Sequence, residues 1–166
     1  MLLGRLRSGE DVVRAHRTIL SRPGLEDLVR ESLQYIDALE RQKIIRAVNL
    51  RRVVGTTPLL KTTSADEIVY ARRIGIEFST RFVKNRDPEP TTFITVILHK
   101  YGNRRVFLLD TAFTGKMKHF VEPNEADRFA PTGEEREVAK RYWAERAWAW
   151  DPDSIVLGSV TMICPW

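Results

Sequence analysis

Residues 93–98 read F-I-T-V-I-L and residues 106–109 read V-F-L-L, with the turn sequence Tyr101-Gly102-Asn103 between them. Both runs are almost continuously apolar and rich in β-branched or aromatic residues, as buried strands are. Because Gly and Asn tolerate positive φ, the residues between them predict a hairpin turn. This region therefore predicts an antiparallel sheet with residues 93–98 as its central strand.

Two further strands are expected on the N-terminal side of this hairpin, at Ile68-Val69-Tyr70 and at residues 78–83. Pro88-Glu89-Pro90 predicts a loop or a sheet edge, since proline cannot donate a hydrogen bond to a strand ladder. Gly55 and Pro58 end the preceding structure. The sheet is thus expected to begin after residue 55.

The N-terminal part predicts helices. Ser8 is expected to cap a helix over residues 9–20, with Asp11 where a carboxylate favours a helix start. Pro23 suits the first position of a second helix, and helical spacing of apolar residues continues, in the same helix or a third one, to Leu50. These signals predict a helical lobe before the sheet.

The C-terminal part predicts one helix and one strand. Thr132 or Gly133 is expected to cap a helix from Glu134 to about Trp150. Residues 155–163 are expected to form the last strand.

The predicted fold class is α+β, with N-terminal helices followed by a small, mostly antiparallel sheet, a C-terminal helix and a last strand. The length fits a single domain over residues 1–166, with a helical lobe at 1–54 and the sheet with the C-terminal helix at 55–166.

Composition predicts a globular and soluble protein, since 43% of residues are hydrophobic and 30% are charged. No apolar run approaches the ~20 residues of a membrane span, and no signal peptide is visible, so no membrane partner is expected. The single cysteine, Cys164, excludes an intramolecular disulfide and makes the cytoplasm the default compartment.

The net charge of +5 is unevenly distributed. Residues 1–105 contain 20 Lys and Arg against 12 Asp and Glu, whereas residues 106–166 carry a net charge of −3. A basic segment favours a polyanionic partner such as RNA and speeds its capture. A well-solvated arginine-rich surface is the alternative interpretation.

Motifs for nucleotides and metals are absent from the sequence. There is no G-x-x-x-x-G-K-S/T, G-x-G-x-x-G, C-x-x-C or H-E-x-x-H pattern. Asp66-Glu67 comes nearest to a carboxylate pair, but this dipeptide before a strand is typical of a solvated turn. We therefore expect no cofactor and no metal.

Cationic and hydroxyl side chains on the expected strands form the candidate site. A metal-free ribonuclease needs a base, an acid and cations that stabilise the phosphorane-like charge, and the planar arginine fork suits the last role. The predicted catalytic residues are His16, Arg72, Arg81 and Thr111. The predicted substrate-binding residues are Arg73, Lys84, Arg86 and Lys116.

Within this set His16 is the titrating candidate for acid or base, the arginines with Lys84 would clamp the phosphate, and Thr111 would orient it. Each residue also has an ordinary interpretation. Strand arginines discourage edge pairing, and His16, His99 and His119 can be plain surface residues. The tryptophans can be packing residues, or they can stack on bases.

The segment from Thr57 to Leu98 resembles a set of small uncharacterised bacterial proteins. They share the pattern T-P-L, D-E-I-V-Y-A-x-R, T-R-F-V-K, P-x-P-T and T-V-I-L, found here between Thr57 and Leu98. Members often have a histidine after a tryptophan late in the chain. Here Arg146, three residues after Trp143, stands at the position expected for that histidine, which argues against a catalytic role of the last helix.

More distantly, the layout resembles metal-independent toxin ribonucleases of the barnase–EndoU–colicin–RelE-like group, especially the pancreatic-ribonuclease-like contact toxins. That group pairs N-terminal helices with a small antiparallel sheet, and Thr111-Ala112-Phe113 matches its T-A-aromatic step. The resemblance implies a helix histidine as base, a role that would fall to His16.

Two functions are predicted. The first is a metal-independent endoribonuclease, a bacterial toxin that cleaves RNA by 2′-hydroxyl transesterification and has a cognate antitoxin or immunity protein as partner. The alternative is a non-catalytic module that binds nucleic acid or protein, such as a regulator or immunity-type protein. An enzyme of ADP-ribosyl or nucleotide-handling type is a lesser option, supported only by an arginine on one expected strand and Ser79-Thr80 on the next.

Overall fold

The computed structural model describes residues 1–20, 22–126 and 132–166, without the side chains of residues 15–17, 19 and 126. The protein is mostly β, with 39% strand and 17% helix. It divides into two compact units. Unit 1 comprises Met1–Thr57 and Pro90–Met117, and unit 2 comprises Pro58–Glu89 and Lys118–Trp166.

The strands are β1 (Leu2–Arg5), β2 (Asp11–Leu20), β3 (Lys43–Asn49), β4 (Gly55–Thr57), β5 (Leu59–Lys61), β6 (Ile68–Arg72), β7 (Ser79–Val83), β8 (Glu89–Thr91), β9 (Phe93–Lys100), β10 (Val106–Thr114) and β11 (Arg146–Ala149). The helices are α1 (Leu25–Leu33), α2 (Pro123–Ala126) and α3 (Gly133–Ala144), and Pro152–Ser154 form a 3₁₀ turn. Strands β4 and β8 form a separate two-stranded sheet.

Unit 1 is built on a five-stranded sheet in the order β1-β2-β10-β9-β3. Its neighbours are antiparallel except β2 and β10, which run parallel. Helix α1 packs on one face, where Leu25, Val29 and Leu33 are fully buried with the inward residues of β9. Each such side chain contributes about 1.5–3 kcal/mol by leaving water, so this face holds the core of the unit.

The predicted hairpin is confirmed. Strands β9 and β10 pair antiparallel, and Gly102 in the turn between them has φ of 57°. Strand β9 is an interior strand between β10 and β3, whereas the middle position belongs to β10. The register shifts between Leu109 and Thr111, so Asp110 is an extra residue that bulges out of the ladder.

The prediction of N-terminal helices, and with it the predicted fold class, is wrong. Residues 9–20 were expected as a helix capped by Ser8, but Asp11–Leu20 form β2, paired with β1 and β10. Residues 43–49, also expected as helix, form β3. Strand pairing with residues far along the chain overrides the local cap and spacing signals. The helix expected from Pro23 onward exists as the shorter α1.

Unit 2 is built on a four-stranded sheet in the order β5-β11-β7-β6. Its strands β6 and β7 confirm those predicted at residues 68–70 and 78–83, and they pair antiparallel. One face carries a small cluster around Leu60 and Val83, and the other carries Val69, Ala71 and Phe82 with two tryptophans. Both faces are therefore apolar near the sheet centre.

The C-terminal predictions are confirmed at the cap of α3 and wrong beyond it. Thr132 caps α3 with a reciprocal capping box, in which Glu135 N donates to Thr132 Oγ1 at 3.3 Å. The helix ends at Ala144 because residues 146–149 form β11. Residues 155–163 make two isolated bridges instead of a last strand. Across the described ranges, no helix has the length and apolarity to cross a membrane.

Candidate nucleic-acid interface

Charge is segregated between the two units. Unit 1 contains 15 Lys and Arg against 8 Asp and Glu, a net charge of +7, whereas unit 2 contains 12 against 14, a net charge of −2. Five of the predicted site residues belong to the acidic unit. They are Arg72, Arg73, Arg81, Lys84 and Arg86.

Arg81 on β7 is bound to the backbone of its own unit. Its Nη1 donates to the carbonyl oxygens of Trp143 at 2.7 Å and Arg146 at 2.8 Å. These carbonyls lie where α3 ends and β11 begins, and a helix end leaves such carbonyls without intrahelical partners. The guanidinium therefore stabilises the segment that connects α3 to β11.

Arg86 also binds groups of its own unit, one backbone carbonyl and two carboxylates. It donates to the Lys61 carbonyl at 3.0 Å and to Asp66 at 2.8 Å, and it also binds Glu89. Burial favours the neutral form of Asp66, but hydrogen bonds from the Thr63 backbone and from Arg86 outweigh it, so the pKa of Asp66 lies below its usual value. Arg86 thus neutralises a carboxylate whose side chain is 3% exposed.

Arg73 belongs to a buried polar cluster around Glu122. The Glu122 side chain is fully buried, and it accepts a hydrogen bond from Trp148 Nε1 at 3.1 Å. Arg73 Nη2 lies 3.7 Å from the same carboxylate oxygen, and its guanidinium lies 5.5 Å from the centre of the Trp148 ring. Lys118 binds the second oxygen of Glu122 and reaches Glu125 at 3.0 Å.

Within this cluster, burial disfavours the charged form of Glu122. The hydrogen bond from Lys118 and its positive charge, together with further hydrogen bonds, outweigh this effect of burial. The pKa of Glu122 therefore lies below its usual value. No sequence signal beyond the four-residue spacing of Lys118 and Glu122 could have indicated the cluster. A carboxylate this deep holds its own unit together and does not face solvent.

The two remaining predicted cations of unit 2 are exposed. Arg72 has no side-chain partner within the described part of the chain, and Lys84 Nζ lies 3.8 Å from Glu67. Because successive strand residues alternate, Arg72 and Arg73 lie on opposite faces of β6 and its exit.

The face of the unit 1 sheet opposite α1 presents a different surface, called here the outer face. The register places on it Lys43, Ile45 and Ala47 of β3, Phe93, Thr95, Ile97 and His99 of β9, and Thr111 and Phe113 of β10. The bulged residue Asp110 joins them through its contact with His99. The listed β3 residues are exposed, and most others are partly exposed. Within the described part of unit 1, no helix packs on this face.

Two phenylalanines lie at one end of the outer face. Phe113 is directly opposite Thr95, and Phe93 is two residues from Thr95 on the same strand, so the two rings are diagonal neighbours. Lys116 lies just beyond β10, with Nζ 4.2 Å from the centre of the Phe93 ring. This end combines an ammonium group with partly exposed aromatic rings.

A histidine and a carboxylate lie at the other end. His99 Nδ1 is 3.4 Å from Asp110 Oδ2, and the side chains are 45% and 49% exposed. The bulge at Asp110 turns this residue toward His99. Lys43 is directly opposite His99 on β3. The sequence interpretation of His99 as a plain surface residue missed this pair, because the bulge leaves no sequence signature.

The structure brings Thr111 and Lys116 of the predicted site to the outer face and its exit. The side chain of His16 lies outside the described residues, although its backbone belongs to β2 rather than to the predicted helix. The predicted site residues are therefore divided between unit 1 and unit 2.

No family model and no curated protein sequence matches the chain. One solved structure is similar, a 2.35 Å crystal structure of a conserved hypothetical protein from Toxoplasma gondii ME49. It is 13% identical, with a TM-score of 0.54 over 80% of this chain and 87% of that chain. At this identity the likeness shows a shared fold alone.

Proposed function

We propose that this protein binds single-stranded RNA on the outer face of unit 1. The observation that carries the proposal is the coincidence of the +7 unit with an outer face that holds Phe93, Phe113 and Lys116. Single strands offer unstacked bases to aromatic side chains, and their phosphates require cations nearby. Both kinds of group belong to this unit.

Lys43 and Lys116 lie on the outer face and at its exit, where they can contact phosphates, and the other cations of unit 1 add to its positive charge. Several Lys and Arg side chains have no carboxylate partner within the described residues of the unit: Arg7, Arg41, Lys43, Arg46, Arg51, Lys100, Arg104 and Lys116. Contact of Lys43 and Lys116 with one phosphate each would make log K fall with log salt at a slope of about −1.4.

The test is the affinity of the purified chain for a labelled single-stranded RNA at several salt concentrations. We expect Phe93→Ala with Phe113→Ala to weaken binding about tenfold or more, because stacking contributes about 1–3 kcal/mol per base. Tyr35→Ala is the matched control, since Tyr35 is an exposed aromatic residue of unit 1 that follows α1. Unchanged affinity in the double variant would contradict the proposal.

A DNA strand of the same sequence separates two versions of the proposal. Weaker DNA binding is expected if the 2′-hydroxyl is read. Equal binding would reduce the proposal to single-stranded nucleic acid in general.

Metal-independent RNA cleavage is the second candidate function, and the His99–Asp110 pair on the same face is the observation that favours it. A toxin role with a cognate antitoxin or immunity protein depends on this candidate. Expression of the chain in bacteria tests it, since a toxin would arrest growth and a binding module would not.

A further inference from the structure

We infer that His99, positioned by Asp110, transfers the proton in cleavage of RNA bound to the outer face. The inference rests on the proposed RNA binding. It assigns proton transfer to His99 in place of His16, and phosphate contact to Lys43 in place of the unit 2 arginines that the sequence suggested.

The first step is the orientation of the imidazole. Asp110 Oδ2 lies 3.4 Å from His99 Nδ1, and both side chains are about half exposed. A carboxylate beside Nδ1 favours the tautomer with the proton on that nitrogen, which leaves Nε2 as the acceptor. His99 is therefore arranged as a general base whose free nitrogen can reach a bound strand.

The second step is the charge around the pair. The charged groups that face His99 from the neighbouring strands are Asp110 on β10 and Lys43 on β3, while Leu108 opposite it on β10 is apolar. Directly paired strand residues have Cβ atoms about 4.5–5.5 Å apart, so the Lys43 ammonium can contact a phosphate beside His99. A phosphate bound beside His99 would thus have one cation, Lys43, and one base, His99, next to it.

The third step is the distance to the aromatic end. His99 and Phe93 are six residues apart on β9, which is about 20 Å at the rise of a strand. An RNA strand whose bases stack on Phe93 and Phe113 can therefore extend along β9 and β10. A downstream phosphodiester of this RNA would then lie beside His99. Thr111 lies between the two ends.

The proposed reaction is transesterification. The 2′-oxygen forms a bond to phosphorus, the bond from phosphorus to the 5′-oxygen breaks, and the 2′-hydroxyl proton passes to His99 Nε2. A water molecule protonates the leaving 5′-oxygen, and the resulting hydroxide takes the proton back from the imidazolium. The products are a 2′,3′-cyclic phosphate and a free 5′-hydroxyl, and Lys43 stabilises the charge that develops on the phosphate oxygens.

The experiment follows cleavage of a single-stranded RNA by the full chain in excess EDTA, with RNA affinity measured on the same samples. His99→Ala is expected to lower kcat at least 100-fold, because general base catalysis contributes about 10²–10⁴-fold, and to leave RNA affinity within about threefold. Added imidazole is expected to restore part of the activity. His119→Ala, a histidine of unit 2, is the matched control and should cleave like the wild type.

Asp110 is a positioning residue in this scheme. Asp110→Asn is expected to lower kcat about tenfold or more with KM unchanged, whereas a residue that only supports the fold would also reduce RNA affinity and stability.

Each negative outcome has one meaning. RNA binding without cleavage would overturn this inference and leave the proposed binding function standing, whereas absence of binding would overturn both. Cleavage that EDTA abolishes, or that survives His99→Ala and fails in His16→Ala, would also overturn the inference.

Discussion

The two units use arginine in opposite ways. In unit 2, Arg73, Arg81 and Arg86 direct their guanidinium groups at carboxylates and backbone carbonyls of the same unit. In unit 1, the surplus of cations over carboxylates leaves residues such as Lys43 and Lys116 without an acidic partner among the described residues. Both units are rich in Lys and Arg, yet their net charges differ in sign.

The difference teaches that the number of cations in a segment is a poor guide to where a polyanion binds. A guanidinium that donates to two carbonyls at a helix end already has a structural role, and moving it to a phosphate would leave those carbonyls unpaired. The ammonium group of Lys116, beside the Phe93 ring, pairs with no carbonyl or carboxylate among the described residues and could bind a phosphate without leaving one unpaired. The predictions below test this contrast between internal and available cations.

The largest effect is expected at Glu122. Glu122→Gln should lower the free energy of unfolding by about 3–5 kcal/mol, because removing one partner from a buried charged cluster leaves the others uncompensated. Denaturant unfolding of the full chain measures it. Glu137→Gln on the exposed side of α3 is the control, and its effect should stay within about 0.5 kcal/mol.

The RNA affinity of folded Glu122→Gln should equal that of the wild type, since the cluster belongs to unit 2. A loss of RNA binding without a loss of stability would show that the cluster, and not the outer face, serves the ligand.

Arg81 and Arg72 form the next contrast, since both are arginines of neighbouring strands and both were predicted as catalytic. Arg81→Ala should cost about 3 kcal/mol, because two charge-assisted hydrogen bonds to carbonyls are lost. Arg72→Ala should cost less than about 0.5 kcal/mol, since the side chain is exposed. Equal costs in thermal or denaturant unfolding would contradict the structural role of Arg81.

Acid should weaken the protein through the carboxylates of unit 2. The pKa values of Glu122 and Asp66 are depressed from 4.5 and 3.8, so their stabilising contribution is present above those values and is lost as pH falls through the lower folded-state values. Unfolding free energy should therefore fall below about pH 4.5. Asp66→Asn should flatten this dependence more than Glu31→Gln does, because Arg52 also lowers the pKa of Glu31 but solvent screens that ion pair.

The smallest effect compares two lysines that the sequence assigned to the substrate. Lys116→Ala should weaken RNA binding about threefold and reduce the salt slope by about 1, since one phosphate contact is lost. Lys84→Ala in unit 2 should change neither quantity. Equal effects of the two substitutions on a salt titration would mean that the RNA also contacts unit 2.

The part of the fold that the sequence could predict is local. The hairpin of β9 and β10 is recognisable because two apolar runs flank a Gly-Asn turn, and the cap of α3 because Thr132 and Glu135 have capping-box spacing. Strand β2 was missed because its apolar residues also fit helical spacing and Ser8 with Asp11 mimics a helix start. Its pairing with β1 and β10 decides between helix and strand.

The site was less predictable than the fold. The strand that contains Arg81 was predictable, but the carbonyls that bind Arg81 come from residues more than sixty positions later. The bulge at Asp110 that faces His99 likewise depends on how β10 matches β9. Contacts of this kind are fixed by tertiary structure and have no local sequence signature.

The parallel pairing of β2 with β10 has a consequence for synthesis of the chain. Asp11 pairs with Val106, so β2 has only β1 as a neighbour until the ribosome has made most of the protein. Strand β3 must also wait for β9. Such distant pairing folds slowly and leaves apolar strands unpaired in the nascent chain. Translation that stops before residue 106 should therefore yield a fragment that aggregates and does not fold. Holdase chaperones should bind the nascent chain before β10 has been synthesised.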